Sequence, residues 1–250
     1  SFHLRERFHL LALRQLAERL TGRAWAVKGG VCLRLFHDSE RLSEDMDLDV
    51  ASSMRMDTLR GAVDAALGSR GFAAAMESAG LAKADLSRSK QTDTTQRWKV
   101  LLVTADGERL PTKLEFSRRH ARLTATPGTP GAALLLAHGL PPFVAQHYDA
   151  TALAGQKLGA LAAPARHAVR DLYDLWHLFA GGKTSPEALR GLPRRVVEEA
   201  SDKMRAFAWR DYEAQVLPYL AAGGAAGTAS ERGFVALRGA VLAALARIPA

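Results

Sequence analysis

Three aspartates, Asp45, Asp47 and Asp49, stand at alternate positions in the stretch KGGVCLRLFHDSERLSEDMDLDV, which runs from Lys28 to Val50. Alternation is the period of a β-strand. The three carboxylates therefore share one strand face, and Met46, Leu48 and Val50 take the other, toward a core. Like charges in a row on one face repel. A hard divalent cation relieves that repulsion, and Mg2+ typically takes one or two carboxylates together with substrate phosphates. A solvent-exposed acidic edge that discourages strand pairing explains the triplet equally well. Upstream, Gly29 and Gly30 follow a short apolar strand candidate, AWAV (24–27), and precede a short helix over VCLRLF. A Gly–Gly turn in that position lets backbone approach a phosphate closely, and a helix N-terminus favours its negative charge. The order is strand, Gly–Gly, helix, polar loop, then Asp–apolar–Asp on a strand. It provides a phosphate cradle next to a two-carboxylate metal site, the equipment for metal-assisted phosphoryl or nucleotidyl transfer.

This order resembles the signature of the DNA polymerase β-like nucleotidyltransferases, an apolar residue before GG or GS and, after a gap, DhD or DhE with h apolar. The fuller string KGG…RLSEDMDLDV is similar to the AbiEii/AbiGii toxin branch, where GG replaces GS and R-x-S-x-D-x-D precedes the apolar residue. Arg41, Ser43, Asp45 and Asp47 match that pattern residue by residue. A second stretch, LAGQKLGALAAPARHAVRDLYDLWHL, resembles the same branch's helical motif of a Lys followed by R-D-L-Y-D-L. It supplies Lys157, Arg166, Arg170, Asp171 and Asp174.

The resemblance implies a Mg2+-dependent nucleotidyltransferase toxin held in check by a cognate antitoxin. A nucleoside triphosphate would place its phosphates at Gly29, Gly30 and Ser43, with Arg41 and Arg170 also on the nucleotide. Asp45 and Asp47 would hold Mg2+, with Glu115 in KLEF as the third carboxylate. Lys157 would neutralise phosphate charge, and Glu115 or Asp174 would assist deprotonation of the acceptor hydroxyl. Lys113 shares the strand face of Glu115 and would pair with it or with phosphate. Asp49 falls outside the motif, and Asp49→Asn is expected to be mild. The implied acceptor is RNA, foremost the 3′ end of tRNA, whose modification stops aminoacylation and blocks translation. Two other classes stay open: a nucleotidyltransferase acting on a protein or small molecule, and a non-catalytic nucleotide- or RNA-binding module. The basic charge argues against a cationic small substrate. The intact Asp-x-Asp, Gly–Gly and Lys157 argue against a degenerate site.

The elements that must position these groups are readable in part. Phe8, Ala12, Leu16 and Leu20 recur at helical spacing, so 4–20 reads as an amphipathic helix, and 57–68 as another. RWKVLLVT (97–104) and LPTKLEFS (110–117) read as a hairpin around Ala105–Glu108. TATPGTPG (124–131) carries the Pro/Gly signal of a linker. Beyond it, 131–138, 149–162, 165–180, 186–199, 203–221 and 230–247 read as helices, with Pro164 opening the third and AAGGAAGTAS (221–230) separating the last two. Arg166, Arg170 and Asp174 would then lie on one helix face, where Arg170–Asp174 also reads as a surface ion pair. The expected fold class is α+β. A nucleotidyltransferase-type mixed sheet with flanking helices fills 1–123, and a helical bundle at 132–250 completes the active site.

The chain has 250 residues and a net charge of +8, which suits a polyanionic partner such as RNA. Arg118, Arg119, Arg122, Arg194 and Arg195 are the candidate phosphate contacts, and Trp98, Tyr148 and Tyr173 the candidate base stackers. The eight histidines are scattered, and no pair of them is expected to have metal-ligand spacing together with a cysteine. Cys32 is the single cysteine, read as a buried thiol, so no intrachain disulfide forms and a reducing cytoplasm is expected. No apolar run approaches the ~20 residues that span a bilayer. SFHLRERFHL at the start has no signal-peptide core and no initiator Met, and reads as a trimmed start.

Overall fold

The computed structural model describes residues 2–221 and 227–249. The chain forms two compact units, one of Ser1–Phe36 with Ser43–Tyr148, the other of His37–Leu42 with Asp149–Ala250. In chain order the first unit holds α1 (Phe2–Arg19), β1 (Trp25–Lys28), α2 (Gly29–Phe36), β2 (Met46–Ala51), α3 (Met56–Leu67) and α4 (Arg70–Ser78). It continues with β3 (Leu81–Gln91), β4 (Thr95–Thr104), β5 (Arg109–His120), β6 (Ala125–Gly128), α5 (Ala132–Ala137) and β7 (Ala145–Tyr148).

Among the described residues, seven strands make one sheet in the order β3-β4-β5-β2-β1-β7-β6. It is mixed: β2 runs parallel to β5 and β1 parallel to β7, and the other neighbours are antiparallel. The alternation predicted for DMDLDVA holds. Met46, Leu48 and Val50 are buried on the core face, as are Trp98, Val100 and Leu102 of β4 and Leu114 and Phe116 of β5. Trp98 meets Phe116 edge-on at 5.5 Å. Burying each of these side chains stabilises the unit by about 1.5–3 kcal/mol. The aspartates and Glu115 are thereby forced onto the opposite face. The hairpin turn falls where expected, between Thr104 and Arg109.

Three strands were not legible. β3, LAKADLSRSKQ, is an edge strand exposed along most of its length, so no apolar alternation marks it. β6, ATPG, sits inside the expected linker; it pairs with β7 alone, and an edge strand tolerates Pro127. β7 has four residues, too few for a period to show. The first unit therefore extends to Tyr148 rather than ending near residue 123.

The second unit contains α6 (Ala150–Ala162), α7 (Arg170–Ala180), α8 (Arg194–Ala206), α9 (Trp209–Gln215) and α10 (Glu231–Leu245), with 3-10 turns at Pro186–Leu189 and Leu217–Tyr219. The Asp149 side chain caps α6 by accepting from the Ala152 amide at 2.7 Å. The helix expected over 165–180 begins only at Arg170. Ala163 is extended, as the residue before a proline prefers, and the chain turns before re-entering a helix. The helix expected over 203–221 is broken at Phe207, which is extended and buried, and α9 restarts with Asp211 accepting from the Ala208 amide at 3.3 Å. Of the expected break at 221–230, residues 222–226 lie outside the described residues.

Candidate active site

In the first unit, strand register lines up the charged groups in a row. Lys28 of β1 faces Asp47 of β2, Asp47 faces Glu115 of β5, and Glu115 faces Arg97 of β4. Registered partners share a sheet face. The carboxylates are mostly paired. Lys113 Nζ reaches Asp45 Oδ2 at 2.9 Å, and Arg97 Nη2 reaches Glu115 Oε2 at 2.5 Å. Lys113 thus takes Asp45 rather than Glu115, because Asp45 stands one alternate position before the Asp47–Glu115 pair and Arg97 already occupies Glu115. Lys28 Nζ donates to Asp49 Oδ1 at 2.5 Å, and the Tyr148 hydroxyl donates to Asp49 Oδ2 at 2.9 Å.

Asp47 alone of the four carboxylates has neither an ion pair nor a hydrogen bond among the described residues. Burial pushes its carboxyl above the usual range; Lys113 and Lys28 oppose the shift, and Asp45 and Glu115 add to it. Gly29 stands beside it. Its φ is +69°, a region glycine enters freely, and a Cβ there would lie 3.4 Å from Asp47 Oδ2. β1 runs directly into α2 at Gly29, earlier than the helix start expected at VCLRLF, and the missing side chain there leaves bare backbone beside a half-buried, unpaired carboxylate. Asp45, Asp47 and Glu115 are hard oxygen donors on one face, and this donor set fits a divalent cation.

The strand entry is itself held. Ser43 Oγ donates to the Asp45 carbonyl at 2.9 Å. Thr112 Oγ1 donates to the Glu44 carbonyl at 2.6 Å and contacts buried His9 Nε2 at 2.9 Å. The hydroxyl has one proton, spent on Glu44, so His9 Nε2 is the donor in the second bond. The sequence gives no sign of this relay, or of the Lys28–Asp49–Tyr148 network, since each joins residues more than twenty positions apart.

The second motif builds a different structure, in the second unit. Arg41 grips Asp174 with two bonds, Nε to Oδ1 at 2.8 Å and Nη2 to Oδ2 at 2.9 Å. Lys157 Nζ lies 2.7 Å from Asp171 Oδ1 and 2.6 Å from Asp174 Oδ2. Arg166 Nε donates to Asp171 Oδ2 at 2.7 Å from the turn before α7. Arg41, Lys157 and both aspartates are buried, and Arg170 is exposed. So Asp174 pairs with Arg41 and Lys157, not Arg170, because it lies on the face of α7 that points inward with Leu175 and Leu178. Burial alone would raise the Asp174 carboxyl, but Arg41 and then Lys157 outweigh it and hold it well below the carboxylate range. Such a group is a weak proton acceptor. Asp171 and Asp174 likewise outweigh burial at Lys157 and keep it protonated.

The segment 37–42 is pinned within this unit. His177 Nε2 lies 2.7 Å from the His37 carbonyl, Lys183 Nζ 2.8 Å from Asp38 Oδ2, and the Leu42 amide donates to Tyr219 at 2.7 Å.

Other expected contacts find other uses. Trp98, Tyr148 and Tyr173 are buried and offer no ring face to a base. The Arg118 guanidinium donates to the carbonyls of Asp93, Ser52 and Met54. Arg194 and Arg195 pair with Glu198 and Glu199 along α8. Arg119 and Arg122 are exposed. No helix among the described residues is long and apolar enough to cross a membrane.

The fold is that of nucleotidyltransferases of the toxin type. It is similar to the nucleotidyltransferase toxin MenT4 from Mycobacterium tuberculosis, with TM-score 0.59 and 17% identity over 98% of this chain and 91% of that one. It is also similar to JHP933 from Helicobacter pylori, with TM-score 0.63 and 20% identity over 96% and 90%. At these identities the likeness concerns the fold. No curated protein sequence gives a significant match. Residues 11–228 match the family model of the nucleotidyl transferase AbiEii toxins of type IV toxin–antitoxin systems, and the chain belongs to that family. Membership implies a nucleoside triphosphate substrate and an antitoxin partner.

Proposed function

We propose that the protein transfers a nucleoside monophosphate from a nucleoside triphosphate to an RNA hydroxyl, foremost the 3′ end of tRNA, with Mg2+ as the metal. Translation stops as a result, in the cytoplasm, until a cognate antitoxin restrains the enzyme. The observation that carries this reading is Asp47, a half-buried carboxylate without an ion pair among the described residues, beside Gly29 at the junction of β1 and α2. Asp45 and Asp47 hold the cation, with Glu115 as the third carboxylate of the set. When bound, the cation neutralises charge on the transferred phosphoryl group and its leaving group. Backbone at Gly29 and Gly30 meets the donor phosphates, and Ser43 holds the strand entry beside them. The acceptor oxygen bonds to the α-phosphorus, the bond from that phosphorus to pyrophosphate breaks, and pyrophosphate leaves with the electron pair. The hydroxyl proton passes to Glu115. Arg41, Lys157 and Asp174 act through the charge network they form, which fixes the segment leading into Ser43. The +8 charge supports a polyanionic acceptor.

The test is incubation with Mg2+, each labelled nucleoside triphosphate in turn, and total tRNA. RNA should be labelled by the wild type, and Asp47→Asn should label it at least about 100-fold more slowly. Label on no acceptor, or undiminished labelling by Asp47→Asn, defeats the reading.

A further inference from the structure

The acidic face continues into a groove in the first unit, of about 570 Å³, that opens at Asp45 and runs across β5, β4 and β3. Its floor follows the strand register. Lys113 faces Lys99 and Lys99 faces Ser87; in the next row Pro111 faces Leu101 and Leu101 faces Asp85. The volume falls in the range of small-ligand pockets, roughly 300–1,000 Å³. Charge bookkeeping singles out one residue. Glu44 at the rim has Arg5 at 4.0 Å, Asp45 has Lys113 at 2.9 Å and Asp85 has Lys83 at 2.6 Å. Lys99 lines the groove, is exposed, and has no ion pair or hydrogen bond among the described residues. The groove therefore offers an apolar floor of Leu101 and Pro111, a hydroxyl at Ser87 and one uncompensated cation.

Strand order says which reactant belongs here. β2, with Asp45 and Asp47, lies between β1, which leads into Gly29 and Gly30, and β5, the near wall of the groove. In-line displacement puts the attacking and leaving oxygens on opposite sides of the transferred phosphorus. With the donor phosphates on the β1 flank, the β5 flank receives the acceptor. We infer that this groove seats the terminal nucleotide of the acceptor RNA, its base against Leu101 and Pro111 and its phosphate at Lys99. The inference rests on the proposed transfer to RNA. A peptide acceptor extending the sheet is disfavoured by Lys90, a charge on the β3 edge strand.

Two measurements test it on the full chain. A short single-stranded oligoribonucleotide ending in 4-thiouridine, photo-crosslinked and mapped by mass spectrometry, should attach within 85–87, 99–101 or 111–113. It should do so in the wild type and in Asp47→Asn, and fail to do so in Leu101→Glu. In the transfer assay, Lys99→Glu should raise KM for RNA about tenfold, the loss of one charged contact, and leave KM for the nucleoside triphosphate unchanged. Crosslinks elsewhere, an unchanged RNA KM, or label on a protein in place of RNA overturn the assignment. Crosslinking does not require turnover, so a chain that labels nothing but crosslinks in the groove sinks the transfer reading and keeps the groove. A chain that labels RNA but crosslinks elsewhere does the reverse.

Discussion

Asp49 lies outside the Asp-x-Asp pattern, yet it is the most deeply buried of the three aspartates. Its partners, Lys28 and Tyr148, come from the strands on the far side of β2. Removing one member of a buried, hydrogen-bonded pair leaves the other uncompensated. Asp49→Asn is therefore expected to lower stability by about 1–3 kcal/mol in urea unfolding, with transfer at low temperature changed far less; an unchanged urea midpoint would contradict the network. Asp47 has the opposite balance. Its charged form is disfavoured by burial, so Asp47→Asn should leave the melting temperature equal or higher while activity is lost. His9 gives a pH signature. Burial lowers its pKa from 6.5 to about 4, with Asp45 and Glu6 opposing and Arg5 assisting. Between those values the unfolded chain binds the extra proton and the folded chain does not. Stability of the first unit should then fall as pH drops from 6.5 toward 4, by on the order of 3 kcal/mol. His9→Gln, which keeps a donor for Thr112, should flatten that slope. An equally steep slope in the variant counts against it.

At the scale of elements, α7 brings Asp171 and Asp174 inward because they alternate with Leu172, Leu175 and Leu178 on its buried side. The segment 37–42 has no regular structure of its own apart from one bridge, Arg41 to Leu220. Its position depends on the Arg41–Asp174 grip and on His177 and Lys183. Asp174→Ala should destabilise the second unit by about 3–5 kcal/mol, since it strands Arg41 and half of the Lys157 pairing. In a double-mutant cycle, Arg41→Ala with Asp174→Ala should cost clearly less than the two single losses added together. Additive losses would show that the two side chains do not depend on each other. The segment ends one residue before Ser43, so these variants should also slow transfer.

At the scale of the molecule, the ion pairs within each unit join protein side chains directly to one another. EDTA should therefore stop transfer while leaving the melting temperature nearly unchanged, and added Mg2+ should restore activity; a large EDTA-induced fall in melting temperature would show a structural metal instead. The sequence by itself determined the motif and its faces: Gly–Gly before Asp-x-Asp is local, and period two put Met46, Leu48 and Val50 in the core and the carboxylates on the other face. It also determined the β4–β5 hairpin, whose turn and alternation are local. Only the tertiary structure decided which charges meet. Whether Lys113 faces Glu115 or Asp45, and whether Asp174 faces Arg170 or Arg41, depends on strand register and on which way α7 is turned. Both are set by packing between residues up to 133 positions apart. The same holds for β3, β6 and β7, edge or near-edge strands whose place comes from their neighbours in the sheet rather than from a pattern of their own.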